Sequence, residues 1–102
     1  MNLSVFDVVA DPARRSIIGL LAQGEQPAGA LVAALPISQP GVSKHLRVLR
    51  EAGFVRVRGD GQRRLYSLRS EPLAEIDAWL SPLRRFWVDK LDALEQHLDQ
   101  EA

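Results

Sequence analysis

The chain has no cysteine, one methionine and one tyrosine among its 102 residues. Without thiols there is no disulfide framework, no thiolate nucleophile and no thiolate metal site. No apolar run approaches the ~18 residues that a membrane-spanning helix requires. The opening stretch MNLSVFDVVADPARR lacks a basic region followed by an apolar one, so no signal peptide is expected. An intracellular, cytoplasmic location fits these absences. Catalytic signatures are missing as well: there is no glycine-rich phosphate loop, no histidine-rich metal set and no nucleophile beside an evident base. Ser43 and His45 stand two apart on one helix, about 200° apart around its axis, and cannot act as a nucleophile–base pair. His97, with Asp99 and Glu101 nearby, falls short of the three or four spaced donors that zinc wants. Neither a cofactor nor a resident metal is expected, and the chain does not read as an enzyme.

Net charge is absent too, because 13 Lys/Arg balance 13 Asp/Glu. The balance hides a segregation. Residues 1–36 carry Arg14 and Arg15 against Asp7, Asp11 and Glu25, a net of −1. Residues 37–69 carry eight Lys/Arg against Glu51 and Asp60, a net of +6, and residues 70–102 carry three against eight, a net of −5. A basic block inside a neutral chain is a localised field of the kind that meets a polyanion, although a solvated charged face has the same composition.

What is present reads as one globular domain, with 46% hydrophobic and 25% charged residues. LSVFDVV suggests a short helix ending near Ala10. Asp11-Pro12 then supplies an N-cap with proline at the first helical position, and the helix that follows carries Ile17, Ile18, Leu20 and Leu21 up to Gly24. Pro27 opens another short helix with Leu31, Val32 and Leu35 as its stripe, and Leu35-Pro36 ends it. Ser38 caps QPGVSKHLRVLREA, which stops at Gly53. The period then changes from helical to two: Phe54-Val55-Arg56-Val57-Arg58 alternates apolar and basic, Asp60-Gly61 marks a tight turn, and RRLYSL returns. Ser70 and Pro72 restart a helix that Ser81-Pro82 is expected to break, giving two C-terminal helices.

Two short helices joined by a tight turn, the second followed at once by a ribbon, define a mainly α (α+β) winged helix-turn-helix with a two-stranded β-hairpin wing. The helix-turn-helix occupies about residues 27–52, the wing about 54–69 and the C-terminal helices about 71–100. On a wheel Val42, Leu46 and Leu49 form the buried face of the second helix, while Lys44 and Arg47 project opposite, flanked by Ser43 and Arg50. Gln39, Pro40 and Gly41 occupy its first turn, where free N–H groups suit a phosphate oxygen. Such a face can offer base-edge and phosphate contacts together. Arg56, Arg58, Arg63 and Arg64 gather around the wing, and arginine suits bidentate phosphate recognition. Tyr66 and Leu68 read as packing residues.

Asp11-Pro12-Ala13-Arg14-Arg15, then Ser38 through Leu49 (SQPGVSKHLRVL), then Glu51-Ala52-Gly53-Phe54-Val55 and the Gly61–Tyr66 wing, resemble the ArsR family of bacterial transcriptional regulators over roughly residues 5–69. The resemblance implies a homodimeric repressor that binds double-stranded operator DNA near a promoter and leaves it on a signal. By it Gln39, Ser43, His45 and Arg47 would face the groove, with Arg14 and the wing arginines as candidates for the backbone; Ser38 caps the helix start, and Lys44 and Arg50 read either as phosphate contacts or as merely exposed. His45 lies at the edge of the apolar stripe, so internal packing remains an alternative for it. Family members that sense metals use cysteines or Asp/His sets that this chain lacks; it is similar to the non-metal members, and the effector is not written in it.

The C-terminal segment repeats Leu73, Ile76, Leu80, Leu83, Trp87, Leu91, Leu94 and Leu98 at intervals of three or four, with Trp79 and Phe86 alongside. A small winged domain has limited surface for so long a stripe. With Leu3, Val5, Phe6 and Val9 it suggests a two-fold interface made from both ends of the chain; capping of the monomer's own core is the plainer alternative. A winged helix that binds another protein and no nucleic acid is the competing functional class.

Overall fold

Ser4 and Asp7 fix the first helix of the computed structural model, which describes residues 3–101. The Asp7 amide donates to Ser4 Oγ at 3.1 Å and the Ser4 amide to Asp7 Oδ2 at 3.0 Å, a reciprocal cap at the start of α1 (Val5–Val9). Asp11 caps α2 (Pro12–Leu21) by accepting from the amides of Ala13 and Arg14. These bonds favour the ionised carboxylates: the Ser4 amide holds the Asp7 carboxyl, and the Arg14 amide the Asp11 carboxyl, below the ordinary carboxylate range. A depressed folded-state pKa contributes stability that is complete above the unfolded value, ~3.9, and is lost as pH falls through the folded value. Denaturant midpoints should therefore decline on acidification below about pH 4, and Asp11→Asn, which keeps a capping side chain, should flatten that acid limb.

A strand that sequence periodicity could not reveal comes next. Gln26–Pro27 form β1, which pairs antiparallel with β3 through Gln26↔Tyr66 and Pro27↔Leu65. Two residues are too few for any alternation to register, and Pro27 is tolerated because β1 is an edge strand. After α3 (Ala28–Ala34) and α4 (Gln39–Glu51) come β2 (Val55–Asp60) and β3 (Arg63–Leu68), so the hairpin wing is part of a three-stranded sheet of order β1-β3-β2. Gly53, at φ 81°, ends α4: the Phe54 amide bonds Leu49 O at 2.8 Å and the Gly53 amide bonds Arg50 O at 3.1 Å. That is a Schellman closure, and it drops Phe54 straight into the core. At the wing tip Gly61 alone has positive φ, 63°, the glycine-first pattern of a type II′ hairpin.

The core lies where α1, α2, α3, α4 and the base of the wing converge, with Val8, Ile17, Leu31, Val42, Leu49 and Phe54 fully buried. Leu46 is 2% exposed at the centre of this cluster. Leu46→Ala should lower unfolding free energy by roughly 2–5 kcal/mol through the cavity it leaves, measurable by urea titration.

The expected break at Ser81-Pro82 does not occur. Glu71–Glu101 is one helix, α5, with Pro82 inside it. Proline removes the bond from residue 82 to the Ala78 carbonyl, but Ala78 is exposed, so the loss falls on a turn open to solvent. The residues on both sides are good helix formers. At about 1.5 Å per residue α5 runs some 46 Å, and the molecule measures 63 × 28 × 21 Å. Near the start of α5 Pro72 is buried and Leu73 and Ile76 pack on the core. From Trp79 onward its described residues are exposed, including Trp79 at 57% and Trp87 at 62%. The apolar stripe thus does not cap the monomer's core.

Candidate nucleic-acid interface

The start of α4 is pressed onto the turn before it. Ser38 Oγ accepts from the Gly41 amide at 3.2 Å, and a Cβ at position 41 would stand 2.7 Å from Ile37 Cγ2. Ile37 is β-branched and stiff, so only glycine allows the turn to close this tightly. With Val42, Leu46 and Leu49 buried, the opposite side of the helix is fixed: Gln39, Ser43, Lys44, Arg47 and Arg50 are all exposed. Gln39, Ser43 and Arg47 recur every four residues and line up along one face.

That face meets the wing. Ser43, Arg47 and Arg50 of α4 and Arg64 and Tyr66 of β3 line an open groove of about 520 Å³, with Leu46 at its floor and Glu51 at its edge. The Arg47 side chain is 80% exposed and its Nε lies 3.3 Å from Glu51 Oε1. So exposed a pair is weak and readily exchanged for a phosphate or a base edge. A second cleft, about 510 Å³, brings Arg50, Arg56 and Arg69 together along β2. Arg69 was not singled out by its spacing, because it stands beyond the alternating stretch; it pairs with Glu71 at 3.7 Å.

The register divides the wing arginines. Val57↔Tyr66 and Gly59↔Arg64 share one face of the hairpin, whereas Arg58↔Leu65 and Asp60↔Arg63 share the other with Arg56. Arg58 donates to Glu25 from both Nε, at 2.9 Å to Oε2, and Nη2, at 2.8 Å to Oε1. This hydrogen bonding holds the Glu25 carboxyl below its usual range and raises Arg58. Arg63 Nη2 lies 3.1 Å from Asp60 Oδ2. The four arginines that sequence places around one tip are therefore partly neutralised from within. Among the described residues Lys44, Arg50, Arg56 and Arg64 make no ion pair.

Two expected contacts are placed elsewhere. Arg14 has a side chain only 15% exposed; its Nε donates to Val8 O at 2.9 Å and its Nη2 to Asp7 O at 3.2 Å. It satisfies the carbonyl end of α1, a use that its position after an Asp-Pro cap did not disclose. His45 is half-buried, and its buried Nδ1 has no hydrogen-bond partner among the described residues. It stands about 160° around α4 from Ser43 and Arg47, so the groove face does not include it. Among the described residues no group of three or more His, Asp or Glu side chains is gathered for a metal ion, and no helix is long and apolar enough to cross a membrane.

A capped, cationic second helix lying beside an arginine-bearing hairpin is the arrangement of a winged helix-turn-helix DNA-binding protein. Residues 9–58 match a family model described as "Helix-turn-helix domain". The chain is 41% identical over 97 residues to the HTH-type transcriptional regulator Rv2034 of Mycobacterium tuberculosis, covering 95% of this chain and 88% of that one. It is 35% identical over 77 residues to the transcriptional repressor SdpR of Bacillus subtilis, covering 76% and 86%. It superposes, with a TM-score of 0.65 at 30% identity over 79% and 75% of the two chains, on the homodimeric winged helix-turn-helix DNA-binding domain Mb0332 of Mycobacterium bovis, described as a possible ArsR-family transcriptional regulator. The chain belongs to the ArsR family: it is a DNA-binding transcriptional regulator and not an enzyme.

Proposed function

We propose that the protein is a homodimeric repressor that binds an inverted-repeat operator, its own promoter among the candidate sites. The observation that carries this reading is the convergence of Ser43, Arg47 and Arg50 with Arg64 on one groove. Helix α4 enters the major groove with Gln39, Ser43 and Arg47 toward base edges, and Ser38, Lys44 and Arg50 sit close to the flanking phosphates. Arg56 and Arg64 hold the adjacent backbone from the wing, with Arg63 behind them at the tip. By blocking the promoter the bound dimer represses, as the name of its Bacillus subtilis relative says of that protein.

Dimerisation is supported by the exposed stripe Leu80, Leu83, Trp87, Leu91, Leu94 and Leu98. A contiguous apolar strip of this length marks an association surface. Its N-terminal neighbour is Phe6, which is 41% exposed and meets Trp79 edge to face at 5.4 Å between centroids. Leu3, Val5 and Val9 are half-buried against the core and back this surface from within. The Mycobacterium bovis neighbour is homodimeric by its description.

A mobility-shift titration with fragments of the protein's own promoter region tests the reading. One fragment should shift at nanomolar protein and resist excess unrelated DNA. Equal retardation of every fragment would contradict sequence-specific recognition, and no retardation at low salt would favour a protein-binding role for the basic surface.

A further inference from the structure

The face of the wing opposite Tyr66 and Arg64 holds three arginines: Arg58 and Arg63 are paired with carboxylates of the same chain, and Arg56, which shares a cleft with Arg50 of α4, is not. The Asp60–Arg63 pair is local to the turn. The other is not: Glu25 stands 33 positions before Arg58, in the segment between α2 and β1. The contact is two-pronged, with three donor–acceptor distances of 2.8 to 3.1 Å, and it is the guanidinium geometry that a DNA phosphate would otherwise receive. The strand β1 that follows Glu25 is hydrogen-bonded to β3, so the carboxylate is carried on the same sheet as the arginine it holds.

From this we infer that Glu25 is a specificity-determining residue, an internal stand-in for phosphate that keeps Arg58 away from DNA and leaves the wing's phosphate contacts to Arg56 and Arg64. The inference rests on the DNA-binding reading above and deepens it. Arg50, Arg56 and Arg64, which line the two clefts between α4 and the wing, make no ion pair among the described residues, whereas Arg58 and Arg63, outside both clefts, are paired. The same Arg58 hydrogen bonds hold the Glu25 carboxyl below its usual range. A wing with Arg58 also free would grip any duplex in more orientations, because phosphate contacts carry no sequence information. With Glu25 in place, the orientation that gains most charge contact is the one that lays α4 in the groove.

Glu25→Gln removes the counter-charge and retains the side-chain size. The test compares it with wild type, Arg58→Gln and the double variant on two duplexes: the shifted promoter fragment, and one of equal length with scrambled sequence. On the scrambled duplex Glu25→Gln should bind more tightly at low salt. Its plot of log affinity against log salt should steepen by about 1.8, the equivalent of one further phosphate per protomer in a dimer. Between 0.05 and 0.2 M salt this makes an extra loss on the order of tenfold. Affinity for the promoter fragment should change less, so the specificity ratio falls. Arg58→Gln alone should leave both slopes at their wild-type values, and added to Glu25→Gln it should abolish the gain.

An unchanged or shallower slope for Glu25→Gln on scrambled DNA would overturn the inference. So would a shallower slope for Arg58→Gln alone, which reads the same claim without depending on how Glu25→Gln folds. If the wild-type slope is itself near zero on both duplexes, the DNA-binding reading fails and takes this inference with it. A steep wild-type slope with no effect of Glu25→Gln removes the inference alone.

Discussion

Arg47→Glu should abolish specific operator binding while circular dichroism and sedimentation remain those of the wild type. The side chain is 80% exposed and its only partner among the described residues is Glu51, one turn on along the same helix. Removing it from the fold therefore costs little, since an exposed pair at i,i+4 contributes ~0.3–0.5 kcal/mol. The cost at the interface is larger. A good bidentate base contact is worth about 1–3 kcal/mol, and a two-fold dimer loses two of them. Reversal also sets a second carboxylate beside Glu51 in each protomer, and both then face phosphate. Together these put the loss at roughly two to four orders of magnitude or more at moderate salt. A folded Arg47→Glu protein with wild-type affinity would take α4's exposed face out of the site.

Truncation after Leu80 has the second large effect, and the structure makes it a cleaner experiment than the sequence suggests. The shortened chain keeps buried Pro72 and the core-packing Leu73 and Ile76. The domain should therefore fold, with an unfolding midpoint close to that of the wild type measured as a monomer. What it loses is Leu83, Trp87, Leu91, Leu94 and Leu98, between 46% and 62% exposed in one protomer. Burying such a strip against a second copy is worth ~25 cal/mol per Å² removed from water, so its removal should raise the dimer dissociation constant by several orders of magnitude. Sedimentation velocity at micromolar protein should show a monomer, and promoter affinity should fall because two half-sites are no longer held together. A truncated chain that stays dimeric would move the interface away from α5.

How far the sequence discloses this protein differs from element to element. The caps at Asp11 and Ser38, the glycine stop at Gly53 and the period change at Phe54 are local signals, and the helices and hairpin follow them closely because each end is satisfied by residues within a few positions. Pro82 misled for the same local reason: a proline is read as a break, whereas one lost hydrogen bond at an exposed turn does not stop a helix supported on both sides. Strand β1 was hidden because it exists only through its pairing with β3, and two residues carry no period. At the site, the exposed run of α4 was legible from the wheel. The roles of Arg14, Glu25 and Asp60 were not, since each depends on a partner that the fold supplies: the α1 carbonyls, Arg58 and Arg63. A count of arginines gives charge, and only the register tells which face each one serves.

The claim at the centre is that two basic surfaces, related by two-fold symmetry, grip one duplex through its backbone. It is tested most directly by the salt dependence of wild-type binding to the promoter fragment. Lys44, Arg50, Arg56 and Arg64 make no ion pair among the described residues of a protomer, and three or four of them engaging would neutralise about 6–8 phosphates per dimer. The slope of log affinity against log salt should then lie near −5 to −7, with binding weakened on the order of 10³ to 10⁴ by a fourfold rise in salt. A slope near zero would contradict it, because no backbone contact made by those four side chains can be indifferent to salt.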